Sequence, residues 1–522
     1  MKRLPLWITA LGFTMNACAQ QNATAVKYAK LITADDAKKH LSILASDEFE
    51  GRETGKPGAE KAANYIAGEF KKLGLEAPVK GSYFFDVPLT QNTLNITDFT
   101  VNGQKFTAWK DYFLQGSFED KKISATDVIF VGYGTEAELA GTDITGKIVL
   151  LINEDKPEEG KKTNTSYRAS NARLAIVKAL RAKNPAVILA VNGELGALLR
   201  RFGSGQSNSS ISIKKEAGAN TQAPLFNVTT AVADALVKPL GKTYDALKTA
   251  SAAGKQTTVI KSTATIAFNT EKKDVKAVDV VGFMPGSDSK LKEEVLVFSA
   301  HYDHIGLVTK AGATDKVNNG ADDDGSGTTG ILEIARAFSQ AKKDGHGPKR
   351  SVLFLGNVGE EKGLLGSEYY TDHPIYPLAN TIADLNIDMI GRVGEEYKDS
   401  PDSANYVYPI GSSMLSSDLH KIGEDANNTY TKLKLDYKYD DINDPNRFYY
   451  RSDHYNFARY GVPIIFYFNG VHADYHQPGD EVSKINFPLL AKRAQLVFYT
   501  GWELANRATR PLVDAKAPAP AK

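Results

Sequence analysis

The sequence predicts an α/β protein: a mixed, mostly parallel sheet flanked by helices, with a β-rich unit inserted into it. Three observations carry this. Short runs such as VLVFSAH at 295–301 and VLFLGN at 352–357 are apolar without alternation, the pattern of strands covered on both faces. They alternate with segments of helical periodicity, the order that lays helices over a sheet. Acids and histidines gather just past the ends of these strands, where ligands collect in such sheets.

Taken in order, the chain begins with a basic start (Lys2, Arg3) and an apolar stretch from Leu4 to Met15 that ends in small residues. This is the layout of a secretory signal over residues 1–17, and the apolar run is too short to span a membrane. MNAC resembles a bacterial lipoprotein cleavage site, with Cys18 as the lipidated first residue; ACA also fits plain cleavage after Ala19. The expected location is the cell envelope, lipid-anchored at Cys18 in the periplasm or outer membrane, or else periplasmic or secreted. Cys18 is the only cysteine, so the chain has neither an internal disulfide nor a cysteine metal site.

Residues 24–105 read as the first part of the main domain. A helix through LSILAS is followed by a Gly-rich turn over 51–58 and a second helix with Ala62, Tyr65, Ile66, Phe70 and Leu73 on one face. Within 106–265 the texture is that of an inserted unit: DVIFVGYG, GKIVLLIN, PAVILAVN and APLFNVT read as strands, with a helix at NARLAIVKALRAKN. The main part of the domain, 266–508, supplies the strands KAVDVVGFMPG, EEVLVFSAH, RSVLFLGN, ADLNIDMIG and VPIIFYFNG. Helices follow Gly325, Lys362 and Ser413, and a last one starts near Phe487. The low-complexity tail, 509–522, is expected to be disordered.

With 522 residues the chain can bury more than one core. Its 63 Lys and Arg balance 62 Asp and Glu without a long basic block, which gives no footing for nucleic acid.

The chemistry starts at NNGADDDGSGTTG, 318–330, where Asp322, Asp323 and Asp324 crowd three like charges into one turn. A helix cap needs one carboxylate, not three. An EF-hand reading puts Gly320 at loop position one and Ile331 at position twelve, and fails. A multinuclear metal site remains, and ligand-type residues occur in the right places: His301 and Asp303, Glu360 and Glu361, Asp388, and His476, each just past a strand. Any one alone reads as a surface pair, a solvated charge or a turn residue; five segments converging on one rim match a hydrolytic zinc centre of His and carboxylate.

HYDH, GADDDGSG, EEKGLLGS, NIDMIGR and YHQPGDE resemble, in order and spacing, the M28 family of zinc metallopeptidases, and the inserted unit resembles a protease-associated (PA) domain. The resemblance implies two Zn²⁺ ions: one held by His301 and Asp388, the other by Glu361 and His476, with Asp323 bridging. It implies Glu360 as general base, Asp303 orienting His301, Tyr475 stabilising an oxyanion, and a cis peptide between Asp323 and Asp324. Physical reasoning agrees. Two ions about 3.5–4 Å apart need a carboxylate that faces both. Adjacent glutamates let one ligate while its neighbour meets the water. Asp322 and Asp324 are then loop and cap residues.

The expected activity is an exported aminopeptidase acting on peptides with metal-activated water. The metal set does not say which peptide end is held, and Arg392 and Arg451 leave a carboxypeptidase or dipeptidase open. A non-catalytic binding ectodomain and a glutaminyl-cyclase-like acyl transfer are the further alternatives. Roles for His304 and His454 in support of the site stay open, Ser452 and Asp453 are read as shaping their loop, and Ser326 lacks a hydrolase elbow.

Overall fold

The computed structural model describes residues 21–515 except 115–117, 159–162, 167–169, 203–207, 215–221, 255–256 and 310–311. The leader at 1–17 and Cys18 lie outside the described residues. Among the described residues no helix is long and apolar enough to cross a membrane.

The main domain is built on an eight-stranded sheet. Its strands in chain order are β1 (Phe84–Asp86), β2 (Val278–Met284), β3 (Val295–His301), β4 (Ser351–Asn357), β5 (Thr381–Ile387), β6 (Tyr406–Ile410), β7 (Lys434–Leu435) and β8 (Ile464–Phe468). Their spatial order is β1-β2-β4-β3-β5-β8-β6-β7. The central four run parallel, and antiparallel pairs join β1 to β2, β2 to β4 and β6 to β8. Every residue of β3, β4, β5 and β8 is buried, which is why they are apolar on both faces apart from a few buried polar residues such as Ser299, Asp384 and Asn386, whose side chains bond to one another. The strands β6 and β7 add to the elements the sequence predicts, which leave 392–461 without a strand.

One face of the sheet is covered by α1 (Ala34–Leu44), α2 (Pro57–Leu73), α3 (Gly327–Lys343), α4 (Ser417–Ala426) and α5 (Phe487–Asn506). Pro57 opens α2 and Gly74, at φ 81°, closes it, while Ala62, Ile66 and Phe70 turn inward. Phe338 of α3 and Phe498 of α5 meet with ring centroids 5.1 Å apart, and Phe338 lies 5.8 Å from Phe298 of β3. Gly501 permits this closeness, since a Cβ there would come within 2.2 Å of the Phe298 ring. The opposite face carries Val295, Val297, Leu353, Leu355 and Phe466 under shorter helices at Leu365–Asp372 and His454–Ala458.

The inserted unit has its own core. Leu89–Val101 and Ala264–Val275 form a long antiparallel pair, joined by Lys121–Ala125 and Ser209–Ile213. A second, six-stranded sheet has four parallel strands at its centre, Val128–Phe130, Ile148–Ile152, Val187–Val191 and Leu225–Val228. The long pair thus runs from 89 to 275, beyond the 106–265 expected from the sequence, with its far part in the core of the inserted unit and Leu89 in that of the main domain. The reason is physical: LTQNTLNITDFTV is half polar, and the strand that makes it part of the unit lies at the unit's other end. The chain leaves and returns at one place, where the Val87 N–H donates to the Ala277 carbonyl (3.0 Å).

Disorder from residue 509 onward does not hold over 510–514. Arg510 donates to the carbonyls of Ala379 and Thr381, the Leu512 N–H to Asp418, and the Ser417 N–H to Asp514. These are backbone and charged partners that composition does not reveal.

Candidate metal centre

The parallel strands end at one rim, and β3 delivers His301 there. Its Nε2 lies 3.3 Å from Asp323 Oδ1, 3.7 Å from Asp388 Oδ2 and 3.8 Å from Glu360 Oε2. On the other side of Asp323, Oδ2 lies 3.2 Å from His476 Nε2, which is in turn 3.0 Å from Glu361 Oε2. The two oxygens of one carboxylate thus face two separate donor sets. His301, Asp323 and Asp388 form one cluster with ligand atoms within 4.8 Å of one another, and His304, Asp323 and Glu361 form another.

The residues fit a divalent cation by a test independent of motif. His301 Nε2, His476 Nε2, Asp323 Oδ2 and Glu361 Oε1 are buried polar atoms without a hydrogen-bond partner. Buried polar groups are as a rule satisfied, and imidazole nitrogens converging with carboxylate oxygens are the donor set of zinc. Electrostatics agree with this crowding. Burial disfavours the His301 cation, yet Glu360 and Asp388 outweigh it and hold the pKa well above the usual imidazole value. Burial likewise opposes the His476 cation, but Asp323 and Glu361 lift its pKa to about 10. Burial pushes the Glu360 carboxyl well above its ordinary range; Glu361, although also buried and beside Asp323, is brought to about 2 by His304 and His476.

The neighbours of Asp323 explain the triple aspartate. Asp322 Oδ1 accepts from the Gly391 N–H (2.6 Å) and Ser326 Oγ (2.9 Å). Asp324 Oδ1 accepts from the N–H groups of Gly327 (2.8 Å) and Met389 (3.0 Å). One bond of Asp324 is a helix cap; those from Gly391 and Met389 tie this turn to the segment after β5 that carries Asp388. The turn is held from two further sides. Asp480 accepts the N–H groups of Asp322 (3.0 Å) and Asp323 (3.1 Å). The buried Arg52 donates to the carbonyls of Leu44, Tyr302, Asn319 and Gly320. The peptide bond between Asp323 and Asp324 is cis, as the resemblance implied.

Asp303 is placed differently from expectation. His301 Nδ1 meets the backbone carbonyl of Asp303 at 3.0 Å, whereas the carboxylate lies 3.7 Å away. That carboxylate instead accepts from Thr54 Oγ1 (2.6 Å) and from the Glu360 N–H (3.2 Å), so it holds the Glu360 segment. The two-residue spacing brings both groups of Asp303 near the ring, and the sequence does not say which one the ring meets. Tyr475 stacks on His476 at 4.0 Å and lines a pocket with Asp323, Glu360, Asp388 and Arg451. The apolar walls of that pocket are Met389, Phe448, Phe466, Phe468 and Val471.

Arg52, Thr54 and Asp480 escaped the sequence reading as contributors to the site. GRETG looked like a turn, and Asp480 sat unassigned inside YHQPGDE. His454 lies in the RSDH segment but points elsewhere: Nε2 meets the Tyr449 carbonyl at 2.8 Å, the ring stacks on Phe466, and burial brings its pKa down to about 3. Arg392 is engaged by Asp474 (2.9 Å) and Asp480 (3.5 Å).

A parallel-centred α/β sheet with histidines and carboxylates gathered on one rim defines a domain with a candidate metal centre. Residues 279–501 match the model of peptidase family M28. A probable leucine aminopeptidase of Arthroderma otae is 30% identical over 237 residues, covering 44% of this chain and 58% of the relative. Aminopeptidase YwaD of Bacillus subtilis is 27% identical over 230 residues, covering 42% of this chain and 43% of the relative. The chain thus spans about half the length of the curated relatives it matches. The solved structure of an aminopeptidase from Aneurinibacillus sp. strain AM-1 has a TM-score of 0.58 at 20% identity, covering 95% of this chain and 100% of the other. That likeness is one of fold.

Proposed function

We propose that the protein is a zinc-dependent aminopeptidase that uses two ions to remove N-terminal residues from peptides. The observation that carries the proposal is Asp323, whose two oxygens face His301 and His476 respectively. His301 and Asp388 would hold one ion and Glu361 and His476 the other, with Asp323 placed to serve both. When bound, zinc supplies Lewis acidity and acidifies a water toward neutral pH. The family match and the names of the relatives support the same activity.

The residues of the chain do the rest. Glu360 lines the pocket while Glu361 faces His476, so Glu360 takes the proton of the attacking water and returns it to the leaving amine. The Tyr475 hydroxyl donates to the oxygen that gains charge; burial, with Asp323 and Glu361 nearby, raises its pKa and keeps it protonated for that purpose. The apolar walls around Phe448, Phe466 and Phe468 receive an apolar first side chain. With Arg392 engaged, Arg451 is the pocket cation that a carboxylate would meet.

A peptide series separates the readings. Zinc-loaded protein is expected to shorten free-amine peptides stepwise from the N-terminus, to tolerate a C-terminal amide and to leave N-acetylated peptides intact. Release of the C-terminal residue, or dependence on a free carboxylate, overturns the assignment in favour of the opposite polarity.

A further inference from the structure

His304 sits on the Glu361 side of the centre and has no part in the scheme above. We propose that its Nδ1 is a fourth protein donor, beside Asp323, Glu361 and His476, to the ion held there. The inference rests on the two-ion reading.

The imidazole is fully buried. Its Nδ1 lies 2.8 Å from Glu361 Oε1 and 3.7 Å from Asp323 Oδ2. The shorter contact has the length of a hydrogen bond without its alignment, and both His304 Nδ1 and Glu361 Oε1 are buried atoms with no hydrogen-bond partner. His476 Nε2 and Asp323 Oδ2 are unpartnered in the same way. Donor atoms about 2.0–2.2 Å from one zinc ion lie roughly 3 to 4 Å apart around it. The contacts of His304 and His476 to the shared carboxylates, 2.8 to 3.7 Å, match that spacing. A cation among these atoms satisfies all of them at once.

The ring is also held in place. A Cβ on Gly320 would lie 2.6 Å from His304 Cγ and Cδ2, so only glycine lets the turn before Asp323 press on the imidazole. Gly320 has φ 56°, a conformation glycine adopts without cost. The His304 N–H donates to the Arg52 carbonyl (3.2 Å), which fixes the backbone from the other side. The rings of His304 and His476 meet edge to face at 5.7 Å, as two imidazoles aimed at a common point can.

The experiment titrates metal-free protein with Zn²⁺ against a competing chelator, for wild type, His304→Ala and His304→Asn. Cobalt(II) absorption spectra are recorded alongside. Asparagine keeps an N–H near the Nδ1 position but is a poor ligand. The expected result is two ions in wild type. In both variants one affinity is unchanged and the other falls by more than the roughly 10- to 100-fold that loss of an outer hydrogen bond costs, with an altered cobalt spectrum. The unchanged site, with an unchanged thermal transition of the metal-free variants, shows that the fold survives. If His304→Asn binds both ions as wild type does, the imidazole acts only as a hydrogen-bond donor to Glu361 and the proposal is overturned. Equal affinities in all three proteins overturn it as well. A wild-type protein that takes up only one ion overturns the two-ion reading itself.

Discussion

At Glu360 and Glu361, side chains of one type in adjacent positions meet different partners, and neutralising each has a different consequence. On the proposed scheme Glu361→Gln is expected to replace a ligand with a weak one, so that one zinc site weakens and activity recovers in part with excess zinc. Glu360→Gln is expected to keep both ions and to bind peptide but to lose roughly 10²- to 10⁴-fold in turnover, which added zinc would not restore. Metal analysis beside single-turnover rates checks both; zinc loss in Glu360→Gln reverses the assignment. These residues were legible because ligands must be His, Asp or Glu, and the strand ends announced them. The residues that aim them were not. Asp480 and Arg52 act through backbone N–H and C=O groups far away in sequence, and a backbone group has no letter. Asp322 and Asp324 are the loop and cap residues the sequence predicts, but their bonds to Gly391 and Met389 across the turn are not legible in it.

The helix α3 both starts at the metal turn and carries a titrating group of its own. Glu333 is buried against α1: its Oε2 accepts from the Thr33 N–H (3.3 Å) and from Arg336 (2.6 Å), and His40 lies 3.7 Å from Oε1. Burial raises its pKa from 4.5 to about 7, against Arg336 and Thr33. The native state therefore binds this proton more tightly than the unfolded chain. That contribution is full below about 4.5 and is lost as pH rises through about 7, up to roughly 3 kcal/mol. His40, with its pKa lowered by burial, works in the opposite sense. Urea unfolding across this window is expected to show the loss in wild type and a flatter profile in Glu333→Gln; parallel curves contradict it. Elements of this kind were readable where one physical cause dominated. The central strands are buried throughout and show it, and α2 announces its ends with Pro57 and Gly74. The strand Leu89–Val101 was not readable, since its assignment depends on a partner beginning at Ala264.

Two units share one chain, and the smaller leans on the site of the larger. Ser209–Ile213 of the inserted unit packs against Glu360–Lys362 and Leu365–Asp372, beside the segment assigned to the general base. Because the chain exits and re-enters through adjacent residues at Val87 and Ala277, residues 89–275 can be replaced by a short turn. The shortened protein is expected to take up zinc as before and to cleave long peptides faster relative to short ones. An unchanged ratio removes any role of the unit in substrate size. The central claim is narrower: one aspartate holds two ions. Anomalous diffraction at the zinc edge from zinc-soaked crystals tests it directly. The account predicts two peaks about 3.5–4 Å apart, one nearest His301 and Asp388, the other nearest Glu361 and His476, with an Asp323 oxygen on each. A single peak, or two peaks that do not share Asp323, contradicts it.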